Sequence, residues 1–285
     1  MNRIIPFCII LLTAFVSFAQ TDSLLQKPKN KLIKGSFYFT WGYTRCAYSK
    51  STIHFSDHSG KIRENNTGQP TDYDFTIYNA TASDRPDFDR IPDIINITVP
   101  QFIIHMGYYF NNKQDFGIEI NYDHAKYVVD DYQRVRIKGQ FNGNYVDKDT
   151  TLDPKTLLHF EHTDGANFWM VNFLKRWTLY NPGKKLHIGW VAKAGAGIVY
   201  PRTDVTLFGE RLNNDWHLAG WIAGVETGVR AEFLKYGVFE FTAKGAYADY
   251  RKCLVLGKGN GTAKHSFYVA QLSATIGFKL FGIKK

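Results

Sequence analysis

Residues Tyr268–Leu280 read YVAQLSATIGFKL, and every second side chain in this stretch, starting from Tyr268, is apolar. Gln271, Ser273 and Lys279 fall between the apolar positions. Successive side chains of a β-strand point to opposite faces of the sheet. The stretch therefore predicts a strand with one apolar face and one polar face.

Seven further segments alternate in the same way. They lie at 37–44, 101–110, 116–123, 169–179, 186–198, 219–232 and 239–247. In the last of them Phe239 and Phe241 share the apolar face, whereas Glu240 and Thr242 share the polar face. Lys175 interrupts the pattern of its segment. Eight such segments, in a chain with 16% aromatic residues and 24 glycines, predict an all-β protein.

The connections between these segments alternate between short and long. The short joins lie at 111–114, 181–184 and 234–235, and the long ones at 45–99, 127–167, 200–215 and 251–265. Bacterial outer-membrane barrels have short periplasmic turns and long extracellular loops. The order predicts an eight-stranded antiparallel transmembrane β-barrel, up-and-down, over residues 35–281.

A soluble β-sandwich or lipocalin-like barrel would show the same alternation with the apolar face inside. Two features favour the membrane. The segments are longer than most globular strands, and aromatic residues such as Trp169, Trp177 and Trp190 gather near strand ends, where they suit the two bilayer interfaces. The mean hydropathy of −0.29 excludes a helical membrane protein.

The N-terminus has the features of a secretory signal peptide. Arg3 precedes an apolar run from Ile4 to Phe18, and small residues stand at Ser17 and Ala19. We expect cleavage after Ala19, which makes 1–19 the signal peptide and 20–34 a periplasmic segment before the barrel. The formal net charge of +9 then indicates anionic lipid as a neighbour and not nucleic acid.

The expected cleavage after Ala19 removes Cys8 with the signal peptide. Two cysteines then stay in the chain, Cys46 and Cys253. In an eight-stranded closure they are separated by the last strand, about 10 Å apart if both stay in the sheet. A disulfide needs Cα atoms within roughly 7 Å. We expect the pair not to be bonded.

Several short stretches resemble a known family. They are YFTWGY at 38–43, YDFT at 73–76, ASDRP at 82–86, FEHTDG at 160–165 and PRTDVT at 201–206. They are similar to stretches in an uncharacterised family of outer-membrane barrels from Bacteroidota. A signal followed by eight amphipathic strands also resembles the small barrels of the outer-membrane-protein-A and -X type. The resemblance implies the fold and the outer-membrane location, and it implies no activity.

The polar faces of the predicted strands carry nine charged residues. They are Glu119, Asp123, Arg176, Lys193, Glu226, Arg230, Glu232, Glu240 and Lys244. An eight-stranded barrel is only wide enough for side chains to fill it. We therefore expect opposite charges to pair inside it as a polar plug. A proton or ion path through the same residues is the alternative.

His162, Thr163 and Asp164 are the candidates for catalysis. Outer-membrane barrels that remove acyl chains from lipid A place a His and a Ser two residues apart, with a Glu further along the chain. Here Thr163 directly follows His162 and the next glutamate is Glu210, so the resemblance fails on spacing. We expect a loop-to-strand corner in which Thr163 or Asp164 bonds the backbone, and no enzyme activity.

Two other motifs suggest ligands. Arg134, Arg136 and Lys138 alternate, so on an extended strand they share one face, where they could meet lipopolysaccharide phosphates or simply be solvated. The acidic loop with Asp84, Asp87, Asp89 and Asp93 offers oxygen atoms to Ca²⁺. It lacks the glycine and the closing glutamate of a calcium loop, so we expect no metal site there.

Three classes of function are compatible with these features. We expect a structural or interaction role through the extracellular loops, as a monomer that contacts outer-membrane lipid and lipopolysaccharide, without nucleic acid or cofactor. One alternative is a lipid A or phospholipid acyl-ester hydrolase, which needs a nucleophile and a base within hydrogen-bond reach. The other is a small-molecule transporter with a lateral opening, which the interior charges Glu226, Arg230 and Lys244 oppose.

Overall fold

The computed structural model describes residues 35–59, 70–85, 100–110, 115–183, 185–256 and 260–281. The expected signal peptide at 1–19, the segment 20–34 and the turn at 111–114 lie outside the described residues. No helix in the part of the chain that the structure describes is long and apolar enough to cross a bilayer.

Seventeen strands make up the regular structure of the described residues. In chain order they are β1 (Ser36–Tyr48), β2 (Ser51–Asp57), β3 (Tyr73–Ala80), β4 (Ala82–Ser83), β5 (Phe102–Tyr109), β6 (Phe116–His124), β7 (Tyr127–Val129), β8 (Arg134–Phe141), β9 (Asn144–Thr151), β10 (Leu158–His162), β11 (Phe168–Gly183), β12 (Leu186–Val199), β13 (Asp204–Leu207), β14 (Glu210–Asn213), β15 (Gly220–Phe233), β16 (Gly237–Leu256) and β17 (Asn260–Phe281).

Eight of these strands pair in an antiparallel ring. Their hydrogen-bonded order is β1-β5-β6-β11-β12-β15-β16-β17, and β17 pairs again with β1. The closing pair runs without a break from Ser36 opposite Phe281 to Tyr48 opposite Val269. The predicted all-β antiparallel class is therefore confirmed.

The two faces of the ring have the polarity that a lipid-embedded barrel requires. Phe173, Val225 and Leu272 point outward and are 71%, 63% and 55% exposed. Glu119 and Arg230 point inward and are 0% and 1% exposed. A soluble barrel buries its apolar face, so this arrangement excludes the sandwich or lipocalin-like alternative. An outward apolar band around a charged interior is the organisation of a membrane barrel.

An aromatic belt marks one end of the apolar band. We call it the upper girdle, and its members are Tyr43, Tyr122, Trp169, Trp221, Tyr247 and Tyr268. Several of these rings touch: Tyr122 and Trp169 lie 4.5 Å apart and Tyr247 and Tyr268 lie 5.1 Å apart, centroid to centroid. Aromatic rings of this kind sit at the headgroup level. The membrane-spanning part therefore extends from the upper girdle to the short turns, and strand residues beyond the girdle project from the bilayer.

Lys175, which broke the sequence pattern, lies near the short-turn end of the ring. Its Nζ is 3.4 Å from Asp115 Oδ2 and 3.7 Å from the centroid of the Phe116 ring. The alkyl stem can follow the apolar surface while the ammonium group reaches a polar partner at the interface. The irregularity therefore has a local explanation and does not interrupt the strand.

The long connections contain strands of their own beyond the upper girdle. β2, β3, β8 and β9 extend the main sheet from the upper part of β17, and a second sheet has the order β14-β13-β10-β7-β4. In the region predicted as a loop at 251–265, the described residues continue β16 and β17 as paired strands, with Cys253 opposite Ala263. We call the two sheets beyond the girdle the outer domain.

An aromatic core joins the two sheets of the outer domain. Phe55 of β2 meets Phe160 of β10 edge to face at 5.5 Å, and Tyr73 of β3 meets Phe208 at 5.5 Å. These residues are buried and belong to the largest apolar cluster of the described residues. Edge-to-face aromatic pairs add specific geometry to their large buried area. The outer domain is thus a packed structure and not a set of separate loops.

Candidate functional site

The interior charges begin at the end of the barrel nearest the outer domain. Lys244 Nζ on β16 is 2.5 Å from Asp123 Oδ2 on β6 and 3.4 Å from Glu226 Oε2 on β15. All three side chains are buried. One ammonium group therefore bridges carboxylates from two strands on different parts of the barrel wall.

Lys193 of β12 is the centre of the network. Its Nζ lies 2.8 Å from Glu119 Oε1, 2.9 Å from Glu226 Oε1 and 2.5 Å from Glu240 Oε1. Glu240 also accepts a hydrogen bond of 2.6 Å from Nε of Arg230. Four strands, β6, β12, β15 and β16, are joined across the lumen by these contacts.

The end of the barrel nearest the short turns carries a third group of charges. Arg176 Nη1 donates to Glu232 Oε1 at 2.6 Å, and Lys279 donates to the other oxygen of the same carboxylate. Each strand supplies its charge from the face that alternates with the lipid-facing residues, so the pairing follows from strand geometry.

Four interior partners were not among the sequence candidates. His105 Nδ1 is 3.5 Å from Glu240 Oε1, Tyr38 donates a hydrogen bond to Glu119, and Tyr109 accepts one of 2.7 Å from Arg230. The fourth is Lys279. All four stand on the polar side of their alternating segments. The same period-two signal that selected the nine charges would have found them.

The network is balanced in formal charge. Its five cations are Arg176, Lys193, Arg230, Lys244 and Lys279, and its five carboxylates are Glu119, Asp123, Glu226, Glu232 and Glu240. Buried charges must be paired, because an isolated ion in a low dielectric costs far more than a hydrogen bond returns. The arrangement can hold strands together across the lumen through these ion pairs.

The three catalytic candidates do not form a catalytic unit. His162 is 0% exposed, and its Nδ1 lies 3.2 Å from Thr203 Oγ1 rather than from its neighbour Thr163. Thr163 instead donates to Glu161 at 2.6 Å, and Asp164 pairs with Arg202 at 3.0 Å. Successive strand residues point to opposite faces, so His162 and Thr163 diverge.

The three basic candidates lie on one exposed face of the β8–β9 hairpin. Arg136 bonds both oxygens of Asp147, at 2.7 and 2.9 Å, and Arg134 lies 3.8 Å from Asp149. Lys138 is opposite Asp147 in the register. The structure brings the cations together as predicted by their spacing, and it also supplies carboxylates from the neighbouring strand.

Asp84, one of the acidic candidates, is satisfied by hydrogen bonds from protein groups. Asp84 accepts hydrogen bonds from Arg45 at 2.8 Å, from the Cys46 amide at 3.0 Å and from Gln101 at 3.1 Å, whereas Asp87, Asp89 and Asp93 lie outside the described residues. Cys46 and Cys253 are both buried and free.

The spacing of the two cysteines is larger than the sequence suggested. Cys46 is opposite Gln271, and Cys253 is opposite Ala263 on the same strand, β17. Those partners differ by 271 − 263 = 8 positions, so the cysteines are displaced by about 27 Å along the strand. A separation of about 10 Å across the strand alone therefore understates the distance between the two cysteines.

Comparison with known proteins finds no matching family model and no matching curated protein. Among solved structures, Ail, the attachment invasion locus protein of Yersinia pestis, in complex with the heparin analogue sucrose octasulfate, matches with 8% identity and a TM-score of 0.32 over 87% of this chain and 99% of that one. The outer membrane protein OprG from Pseudomonas aeruginosa matches with 13% identity and a TM-score of 0.35, over 88% and 98%. Neisserial surface protein A matches with 13% identity and a TM-score of 0.34, over 87% and 100%.

The pairing and the faces of this chain define its class. A ring of antiparallel strands with lipid-compatible side chains outside and paired charges inside satisfies every requirement of a membrane-spanning β-structure, because closure leaves no unpaired edge in lipid. The protein is an integral β-barrel of the outer membrane, and an ordered β-structure rises from one end of that barrel.

Proposed function

We propose that the barrel is a closed anchor that holds the outer domain at the cell surface, where this domain makes the protein's interactions. The observation that carries the proposal is the combination of a charge-filled lumen and a packed outer domain. Ion pairs cross the lumen from Glu232 at one end to Asp123 at the other, while the long connections form two sheets around an aromatic core. The folded surface that the protein can present to a partner is thus the outer domain, outside the bilayer.

The transporter alternative lacks support in the barrel wall. The register between β12 and β15 is unbroken from Leu186 opposite Phe233 to Val199 opposite Gly220. The register between β1 and β5, which closes the other side, is equally continuous from Ser36 to Tyr43. A lateral opening needs a break between neighbouring strands, and neither of these two ladders has one.

At His162, the candidate base, the hydrolase alternative lacks an accessible nucleophile. The hydroxyl that does contact His162 is that of Thr203, and both residues are 0% exposed. An acyl ester would have to reach the hydroxyl and displace the packed rings around it. The geometry is that of a buried hydrogen bond and not of a substrate site.

Anionic headgroups are the partner that the exposed charges favour. The β8–β9 hairpin carries four cations, Arg134, Arg136, Lys138 and Lys148, against two carboxylates, Asp147 and Asp149. Its outward face is exposed, with Arg134 and Arg136 side chains at 77% and 60%. Arginine can share its fork between a carboxylate and a phosphate. We therefore propose lipopolysaccharide as the first partner of the outer domain.

The test measures lipopolysaccharide binding by the protein held in nanodiscs of zwitterionic lipid. A triple variant, Arg134→Gln with Arg136→Gln and Lys138→Gln, should bind roughly tenfold to a hundredfold more weakly, because each cation near an anionic surface contributes about 1 kcal/mol. Lys148→Gln, on the same hairpin but opposite Ile137 in the register, should change affinity by less than about threefold. Equal binding by the triple variant and the unmodified protein would remove lipopolysaccharide as the partner.

A further inference from the structure

Three side chains with metal-binding atoms converge just beyond the upper girdle. His162 Nε2 lies 3.2 Å from His265 Nε2 and 3.9 Å from Cys253 Sγ. All three ligand atoms lie within 4.8 Å of one another. His162 and Cys253 are 0% exposed and His265 is 4% exposed, so none of the three is a surface group.

The three residues come from both sheets of the molecule. Cys253 and His265 stand on the paired strands β16 and β17, and a register shift between Tyr250 and Cys253 adjusts their alignment. His162 ends β10 in the second sheet. The cluster therefore lies where the outer domain meets the strands that continue down into the barrel.

The distances fit a single tetrahedral ion. With Zn–N bonds of about 2.0–2.1 Å and a Zn–S bond of about 2.3 Å, two imidazole nitrogens lie about 3.3 Å apart and a nitrogen and a sulfur about 3.6 Å apart. The observed separations are 3.2 Å and 3.9 Å. The third separation, between His265 Nε2 and Cys253 Sγ, is at most 4.8 Å. A shift of about 1 Å in the Cys253 side chain therefore brings all three atoms to bonding distance of one ion, and one coordination position stays open.

Hydrogen bonding fixes the tautomer of His265 in the ligating form. Ser51 Oγ donates its proton to the Ser266 carbonyl oxygen at 3.0 Å, so toward His265 Nδ1, 3.4 Å away, it can only accept. Nδ1 of His265 therefore carries the hydrogen, and its Nε2 presents a lone pair to the cluster. The partner of His162 Nδ1 is the Thr203 hydroxyl, which can either donate or accept. A hydrogen-bonded orienting group on the second ring nitrogen is the usual support of a metal-binding histidine.

Aromatic rings hold both imidazoles in place. Tyr250 stacks on His162 at 5.0 Å and on His265 at 4.8 Å, and Phe160 packs edge-on against both. Burial lowers the pKa of His162 and of His265 and raises the pKa of the Cys253 thiol.

We propose that His162, Cys253 and His265 form a binding site for one Zn²⁺ ion, which links the outer domain to the barrel strands β16 and β17. The site goes beyond the proposed surface role and stands independently of it. It also differs from the sequence-based expectation of no metal. Because the ligands are buried, the ion enters while the chain folds, and its binding energy adds to the stability of the junction.

The test refolds the mature chain in detergent with Zn²⁺, removes loose metal by gel filtration and measures zinc by mass spectrometry. We expect about one ion per chain, and well under a fifth of that for Cys253→Ser and His265→Gln. Cys46→Ser is the matched control, because Cys46 is the other buried free cysteine and is opposite Gln271, away from the cluster. It should keep the ion.

Refolding with Co²⁺ in place of Zn²⁺ gives a second readout that a purely structural cysteine would not produce. A thiolate-to-cobalt absorption band in the near ultraviolet should be present in the unmodified protein and in Cys46→Ser, and absent in Cys253→Ser. Circular dichroism confirms that each variant is folded. Folded protein without zinc and without the cobalt band would overturn the proposal, as would zinc content in Cys253→Ser equal to that of the unmodified chain.

Discussion

At the scale of single residues, neighbouring positions on one strand face surroundings of opposite polarity. Phe241 is 51% exposed on the outer wall, whereas Glu240 beside it is 1% exposed and accepts hydrogen bonds from Lys193 and Arg230. The side-chain period of two makes each substitution on β16 a test of which face meets lipid.

A cation on the outer wall should be costly. Phe241→Arg should lower the free energy of unfolding by about 2–4 kcal/mol if the residue lies near the bilayer midplane. Denaturant unfolding of vesicle-inserted protein measures this change. Phe241→Leu, which keeps an apolar side chain, is the control and should cost much less. A harmless Phe241→Arg would reverse the assignment of inside and outside.

Neutralising the interior partner should also be costly, for a different reason. Glu240→Gln leaves the ammonium group of Lys193 and the guanidinium group of Arg230 with one carboxylate fewer. Breaking a buried pair costs about 3–5 kcal/mol, because the remaining charge is uncompensated. Two cations lose a partner here, so we expect a cost in this range, measured by the same denaturant unfolding.

The exposed pair on the β8–β9 hairpin provides the contrast for Glu240. Asp149→Asn removes a carboxylate 3.8 Å from Arg134, with exposed side chains on both partners. The same unfolding measurement should detect a change of less than about 1 kcal/mol. Equal costs for Glu240→Gln and Asp149→Asn would show that the lumen is hydrated and not a dry, paired interior.

A pH-dependent pair stabilises the outer domain. Hydrogen bonds to Glu161 and then to Asp131 raise the pKa of His159 to about 9 from its ordinary 6.5. A raised histidine pKa contributes stability that is fully present below pH 6.5 and is lost as the pH rises through about 9. His159→Gln should therefore lower the melting temperature at pH 6 and have little effect at pH 10. An equal difference at both pH values would exclude the ion pair as the cause.

At the scale of elements, close contacts between strands depend on glycine at specific positions. Gly107 of β5 is opposite Tyr38 of β1, and a Cβ atom at Gly107 would lie 2.2 Å from the Tyr38 ring. That ring lies under the Arg230 guanidinium group at 3.8 Å and its hydroxyl bonds Glu119. The glycine thus lets one tyrosine cover a strand and reach the charge network.

Filling this space should disturb the wall. Gly107→Ala should cost about 1–3 kcal/mol of unfolding free energy, as overpacking of a well-packed interior usually does. Gly245→Ala is the matched control, because a Cβ atom there meets nothing within 4 Å, and it should be neutral or slightly stabilising. A similar cost at both positions would point to backbone flexibility instead of the Tyr38 contact.

Local patterns predict the barrel strands and fail at the outer domain. Alternation around Phe239 and Glu240 is a property of one segment, so it can be recognised without knowing any partner. The β8–β9 hairpin also has a local signal in its sequence: Asn142 and Gly143 both adopt positive φ, 47° and 79°, between the two strands, as a two-residue hairpin turn requires. The pairing of β10 with β13, by contrast, joins residues more than forty positions apart, and no short pattern encodes it.

At the scale of the whole molecule, contacts between distant segments again have no short sequence pattern. This explains which parts of the sites can be predicted from the sequence. The nine interior charges follow from strand faces, and closure of the ring brings them together. The cluster of His162, Cys253 and His265 joins segments 91 and 103 residues from His162. Adjacent residues such as Thr163 were the natural sequence partners, and the fold instead directs His162 toward the other sheet.

The barrel and the outer domain lie in different environments. The barrel wall contacts lipid through side chains such as Phe173 and Leu272, while its interior is occupied by five cations and five carboxylates. The outer domain holds the aromatic core and the exposed basic hairpin. In the proposed function the barrel is a closed anchor and the outer domain is the surface module. This division of roles requires that the lumen is blocked.

Conductance across a planar lipid bilayer tests that central claim most directly. Purified protein inserted into the bilayer at neutral pH should give no stable ionic current, because the ion pairs around Lys193 fill the lumen. A Glu240→Ala and Lys193→Ala double variant that still inserts should begin to pass current, since it removes the two side chains that meet at 2.5 Å in the centre. Steady, ohmic channels from the unmodified protein would contradict the account.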